Sequence, residues 1–180
     1  MKVKIYLLLF LLMMLIFVAE DSFAISNAQI MPGILSIRYN VNLLDEIRAI
    51  SLEGEYGMSS TLTAEGRYIY ASPKTYFDLF LKFKLYESSD LNLAGRLGLM
   101  SDFSNSTPVF KTIGFVFSKY QNSFVRLNGG CDYSMITGDI GYYAGIDYRL
   151  TARAYLQAGW QKFIGQSDTD GFVIGIRTDL

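Results

Sequence analysis

From Ile34 onward, apolar and polar side chains alternate almost without interruption. Alternation is the mark of a strand, because successive side chains point to opposite faces. Over Ile34 to Val41, Leu35, Ile37, Tyr39 and Val41 share one parity, and Ser36, Arg38 and Asn40 take the other. Ile50 to Tyr56 repeats the pattern with Glu53 and Glu55 on the polar parity. Leu62 to Tyr70 does so with Glu65 and Arg67, and Phe77 to Leu85 with Asp78, Lys82 and Lys84. Leu91 to Leu99 sets its leucines against Asn92 and Arg96. The stretch Val109 to Phe117 is less regular, because Lys111 falls on the apolar parity. Val125 to Tyr133 opposes Arg126, Asn128 and Asp132. Tyr142 to Leu150 opposes Asp147 and Arg149, and Ala154 to Trp160 opposes Arg153, Gln157 and Gln161. The final run, Phe172 to Leu180, opposes Arg177 and Asp179.

These runs predict ten strands, each about 8 to 11 residues. Short connectors join them, so each strand is expected to pair with its sequence neighbour in a meander. The expected fold is all-β: a single antiparallel up-and-down barrel of ten strands, with eight as the lesser count, over residues 34–180. Only Pro73 and Pro108 interrupt that span, and scattered glycines speak against long helices.

Alternation leaves open which face points inward. A soluble, lipocalin-like barrel puts its apolar face inside, around an apolar ligand, and a membrane barrel puts it outside, against lipid. Four features favour the membrane. Charges keep almost wholly to one parity. That face is rich in Arg, as suits confined Arg–carboxylate pairing. Connectors alternate in length, with tight turns at 57–60, 87–90, 119–122 and 150–152, and longer loops at 101–108, 134–139 and 164–170. On the other side, 43–46 and 71–74 are short. Finally, Tyr39, Tyr56, Tyr68, Tyr70, Tyr133, Trp160 and Phe172 are expected near strand ends, where aromatics suit membrane–water interfaces.

The candidate site is therefore the lumen. Its expected ion-pair network comprises Arg38, Glu53, Glu55, Glu65, Arg67, Asp78, Lys82, Lys84, Arg96, Arg126, Asp132, Asp147, Arg149, Arg153 and Arg177, with Asp179 on the same parity. Glu53, Glu55 and Glu65 could form an acid/base pair, but pairing with Arg38 and Arg67 is the favoured expectation. Near-balanced charge in a narrow lumen predicts a nearly plugged barrel.

The start of the chain adds a destination. Met1-Lys2-Val3-Lys4 precedes an uncharged run from Ile5 to Ala19, and Ser22-x-Ala24 follows. This predicts a cleaved signal peptide over 1–24, with Ser26-x-Ala28 as a second cleavage option and 25–33 as an entry segment. The run is shorter than the roughly 20 residues of a spanning helix. No cysteine follows it, which excludes a lipoprotein anchor. Setting aside Lys2, Lys4, Glu20 and Asp21, totals of 16 basic and 17 acidic residues leave the exported part nearly neutral, so no nucleic-acid partner is expected. The single Cys131 cannot form an intramolecular disulfide and reads as a packing residue. Gly129-Gly130 predicts a bulge or a close approach.

The chain has no histidine, which removes Ser-His-Asp and Cys-His catalysis and most zinc sites. No enzyme activity, cofactor or metal is expected. The last strand alternates up to its final residue through Ile174, Ile176 and Leu180. In this it resembles the closing strand of small bacterial outer-membrane β-barrel proteins, although Leu180 stands where those end in an aromatic. The resemblance is one of pattern over the whole exported chain. It implies the bacterial outer membrane as destination, the general secretory route, lipid as surroundings, and recognition of the last strand by the outer-membrane insertion machinery. It also speaks against the barrel enzymes of that membrane whose active sites use histidine.

Overall fold

The structure is a computed structural model that describes residues 27–44, 48–71, 74–102, 110–162 and 171–180. The expected leader (1–24), most of the expected loop at 101–108 and the loop at 164–170 lie outside those residues. Ten strands follow one another: β1 (Leu35–Leu44), β2 (Arg48–Gly57), β3 (Leu62–Ala71), β4 (Lys74–Glu87), β5 (Leu91–Asp102), β6 (Phe110–Tyr120), β7 (Val125–Ser134), β8 (Ile140–Arg149), β9 (Ala154–Lys162) and β10 (Gly171–Asp179). Each pairs antiparallel with its sequence neighbour, and β10 closes on β1. Closure leaves no strand edge unpaired. At the seam, the Leu180 N–H donates to the Leu35 carbonyl at 2.8 Å, and Arg38 lies opposite Arg177.

Four tight turns, at 58–61, 88–90, 121–124 and 150–153, lie at the same end as the β1 start and the β10 finish. We call this the turn side. Serine, threonine and asparagine side chains brace the turns: the Ser59 hydroxyl accepts from the Leu62 N–H at 3.1 Å, and Asn122 Oδ1 accepts from the Val125 N–H at 2.9 Å.

The inward face is the charged one. Arg38, Glu53, Lys82 and Arg177 are fully buried, whereas Leu52, Leu79, Leu81, Leu97 and Ile146 are about half exposed on the outside. A soluble barrel with an apolar ligand inside is therefore overturned: the interior holds the charges. So broad a belt of exposed large apolar side chains is at home in hydrocarbon, not water. No helix among the described residues is long and apolar enough to cross a membrane, so crossing falls to the strands.

Several details depart from expectation. Strand β4 is longer than its alternation, because a bulge between Lys84 and Tyr86 lets it continue to Glu87 with Leu85 and Tyr86 both outward. Tyr39 sits in the middle of β1, not at its end, whereas Tyr70, Tyr133, Trp160 and Phe172 lie near the loop-side ends. Of the two expectations for Gly129-Gly130, the close approach holds and the bulge does not: the register of β7 runs unbroken, the Phe117 ring lies over Gly129, and the Phe115 carbonyl and Tyr143 phenol crowd Gly130. Cys131 is half-buried on the outer face. Lys111 does point outward, but from the second residue of β6, where the wall meets the loops.

Candidate functional site: a filled lumen

Ion pairs cross the lumen, and they form two regions. The first is centred on Glu53 and Glu55 of β2 and Glu65 of β3, whose carboxylates bring oxygens within 4.8 Å of one another. Such a knot of acids is stable only if opposite charge surrounds it. Arg38 pairs with both Glu53 and Glu55. Lys82 Nζ lies 2.7 Å from Glu55 and 3.7 Å from Glu65. Arg96 donates to Glu65 at 3.2 Å and to Asp132 at 2.6 Å. Beside this knot, Arg67 pairs with Asp78 at 2.6 Å.

The second region centres on Asp147 of β8. Arg126 pairs with it directly, Gln157 donates to it at 2.7 Å, and Arg177 reaches it at 3.4 Å. Arg177 also holds Asp179 at 3.0 Å, and Asp179 accepts from the Ser36 hydroxyl at 2.8 Å across the seam.

Aromatic rings support the guanidinium groups. The Arg96 guanidinium carbon stands 3.8 Å from the centre of the Phe80 ring, with Tyr143 5.9 Å away. Arg177 stacks on Tyr155 at 4.1 Å, and Arg126 approaches the same ring at 5.5 Å. Flat guanidinium groups suit this double role of pairing and stacking. The reach of Arg96 from β5 to Asp132 on β7 passes over β6 at Gly114, where a Cβ would collide with the Asp132 carboxylate.

Of the residues expected in the network, the strands thus bring together Arg38, Glu53, Glu55, Glu65, Arg67, Asp78, Lys82, Arg96, Arg126, Asp132, Asp147 and Arg177. Three stand apart. Lys84 adjoins the β4 bulge and pairs with Glu87 at 2.6 Å at the rim. Arg149 ends β8 and donates to the Thr151 carbonyl at 3.1 Å. Arg153 lies exposed in the turn before β9, not within a strand. Arg67 takes Asp78, its partner in the β3–β4 register. The three glutamates therefore hold basic partners of their own and do not stand as a free acid/base pair.

The lumen contains more than the expected charges. Phe80, Tyr143 and Tyr155 lie on the charged parity, so their place was open to reading from position alone. The entry segment was not. Asn27, Ala28 and Ile30 are buried inside the turn-side half of the barrel, with Ala28 packed with Ala94 and Val116. Lys82 Nζ donates to the Asn27 carbonyl at 2.7 Å, and the Ala28 N–H donates to the Ser118 hydroxyl at 2.8 Å. Gln29 Oε1 accepts from Tyr120 at 2.6 Å and from Arg126 at 2.8 Å.

Neither a protein-family model nor a curated protein matches the sequence. Solved structures do match the fold. A de novo designed transmembrane β-barrel is 16% identical, with a TM-score of 0.50, over 84% of this chain and 99% of that one. The KdgM porin, solved with disordered oligogalacturonate, is 11% identical, with a TM-score of 0.55, over 79% of this chain and 98% of that one. The NanC porin is 7% identical, with a TM-score of 0.49, over 81% of this chain and 100% of that one. With its apolar wall outside and its charges inside, the chain has the fold of a transmembrane β-barrel of ten antiparallel strands, similar to small bacterial outer-membrane barrels.

Proposed function

We propose that this protein is an integral, non-enzymatic barrel of the bacterial outer membrane whose lumen is closed, so that it serves a structural or interaction role or at most a narrow passage. The leader would direct export and be removed with it, and the last strand, with Ile174, Ile176 and Leu180, would be read by the insertion machinery. One observation carries the closed reading: the inward charges are consumed by one another. Arg38, Lys82, Arg96 and Arg177 are no more than 1% exposed. Water-filled pores leave such groups hydrated, whereas here they meet carboxylates and rings.

Charge balance also argues against a route for acidic sugars. Among the described pairs inside the barrel, Arg38, Arg67, Lys82, Arg96, Arg126 and Arg177 face Glu53, Glu55, Glu65, Asp78, Asp132, Asp147 and Asp179. No surplus of base is left to attract a polyanion. The oligogalacturonate of KdgM therefore does not carry over to this chain.

Location is tested by cell fractionation. The protein is expected in outer membranes, migrating anomalously on gels unless heated. Recovery as a soluble periplasmic protein would overturn the proposal.

A further inference from the structure

Of the entry segment, residues 27–30 belong to no strand. It leaves the barrel wall at Gly33, whose positive φ of 73° turns the chain back. There Pro32 bridges to Gly57, and the Gly33 N–H donates to the Gly57 carbonyl at 2.8 Å. The segment then runs inward. From Gln29 to Ala28, its contact on β6 moves from Tyr120, the last residue, to Ser118, one inward position deeper. Asn27 is 1% exposed. Asn27 therefore lies inside the lumen, below the turn-side rim.

We propose that Asn27–Ile30 is a tethered plug with a built receptor in the turn-side lumen, and that the leader is removed upstream of it, at Ala24–Ile25. The receptor is specific in kind. Lys82 and Ser118 hold backbone, Tyr120 and Arg126 hold the Gln29 amide, and Ala94 and Val116 pack with the buried Ala28 side chain. Cutting after Ala28 would remove the Asn27 carbonyl and the Ala28 amide linkage that Lys82 and Ser118 engage. The cut is a hydrolysis: the signal peptidase adds water across the Ala24–Ile25 amide, giving the Ala24 carboxylate and the Ile25 amine. The position of the cut rests on the exported reading of the chain; the plug does not.

The two parts are tested separately. Sequencing the amino terminus of protein from the cell envelope should begin at Ile25; a start at Gln29 would overturn the cut. For the plug, Val116→Cys is placed in a Cys131→Ala background, and the folded barrel in detergent is treated with a small water-soluble thiol reagent. Val116 is fully buried and keeps none of the plug's hydrogen bonds, so its thiol reports access alone. It should be protected in the full mature chain and react several-fold faster when residues 25–30 are deleted. Ala28→Arg, too large for its site, should give the same release without shortening the chain. Equal labelling of all three would overturn the plug. So would rapid labelling of the full mature chain. Neither result depends on which membrane the barrel occupies.

Discussion

The two charged regions of the lumen solve one problem on different plans. Around Glu53, Glu55 and Glu65, acids of β2 and β3 crowd together, and bases converge on them from β1, β4 and β5. Around Asp147, a single acid is the hub, and two arginines from β7 and β10 converge on it. The first plan depends on bases that skip a strand: Lys82 passes over β3 to Glu55, and Arg96 passes over β4 to Glu65 and over β6 to Asp132. The second rests chiefly on a register pair, Arg126 opposite Asp147. A skipping base ties non-neighbouring strands across the lumen, and a register pair only reinforces a contact the backbone already makes. The acid knot should therefore do more than the Asp147 hub to hold the barrel's cross-section.

The largest expected effects come from removing the link on which each region turns. Arg96→Met strips one base from both Glu65 and Asp132, and Asp147→Asn strips the hub from Arg126 and Arg177. Breaking a buried pair costs about 3–5 kcal/mol. Arg96→Met should fall at the upper end, because Arg177 still holds Asp179 in the other variant. Urea unfolding in detergent checks the order, and a larger loss for Asp147→Asn would reverse the ranking of the two plans.

The wall provides the reference for both regions. Leu81 faces outward near mid-strand, and Asn92 is 5% exposed inside. Leu81→Arg should lose about 2–4 kcal/mol of membrane stability if it lies at mid-depth, and Asn92→Arg should insert more readily. Trp160, the only tryptophan, points outward on β9 and reports insertion by its fluorescence. Equal insertion yields for the two variants would contradict the facing of every strand.

A finer test compares how far charge can be removed in pairs. Asp147→Asn with Arg126→Met deletes a register pair together, leaving Arg177 to Asp179. Arg96→Met with Asp132→Asn still leaves Glu65 short of a base. Neighbouring partners couple by about 0.5–3 kcal/mol, so the first double variant should regain a larger share of its lost stability. The smallest effect belongs to Arg153→Ser, in an exposed turn, where unfolding should be unchanged.

The same division explains what the sequence made legible. Parity needs only the period of two, so the ten strands, their order and the shared face of Arg38, Asp78 and Asp147 could be read from residue spacing; that this face points inward took the segregation and arginine richness of its charges. Register pairs such as Arg67 with Asp78 follow once a turn fixes the pairing. Skipping pairs depend on barrel curvature and on the room left by Gly114, which no local pattern encodes. The β4 bulge did leave a trace, since Leu85-Tyr86 breaks the alternation with two apolar residues in a row. Asn27–Ile30 left none: a segment that lies inside a barrel without joining its sheet shows no period at all.

The central claim is that a transmembrane barrel is closed by its own charges, and planar-bilayer recording tests it most directly. The full mature protein should show little or no steady conductance and weak ion selectivity. Replacing Arg67, Arg96 and Arg126 together with Ser, in a chain that also lacks 25–30, should open a measurable pore. A large, steady conductance from the unaltered protein would contradict the account and make the barrel an open porin.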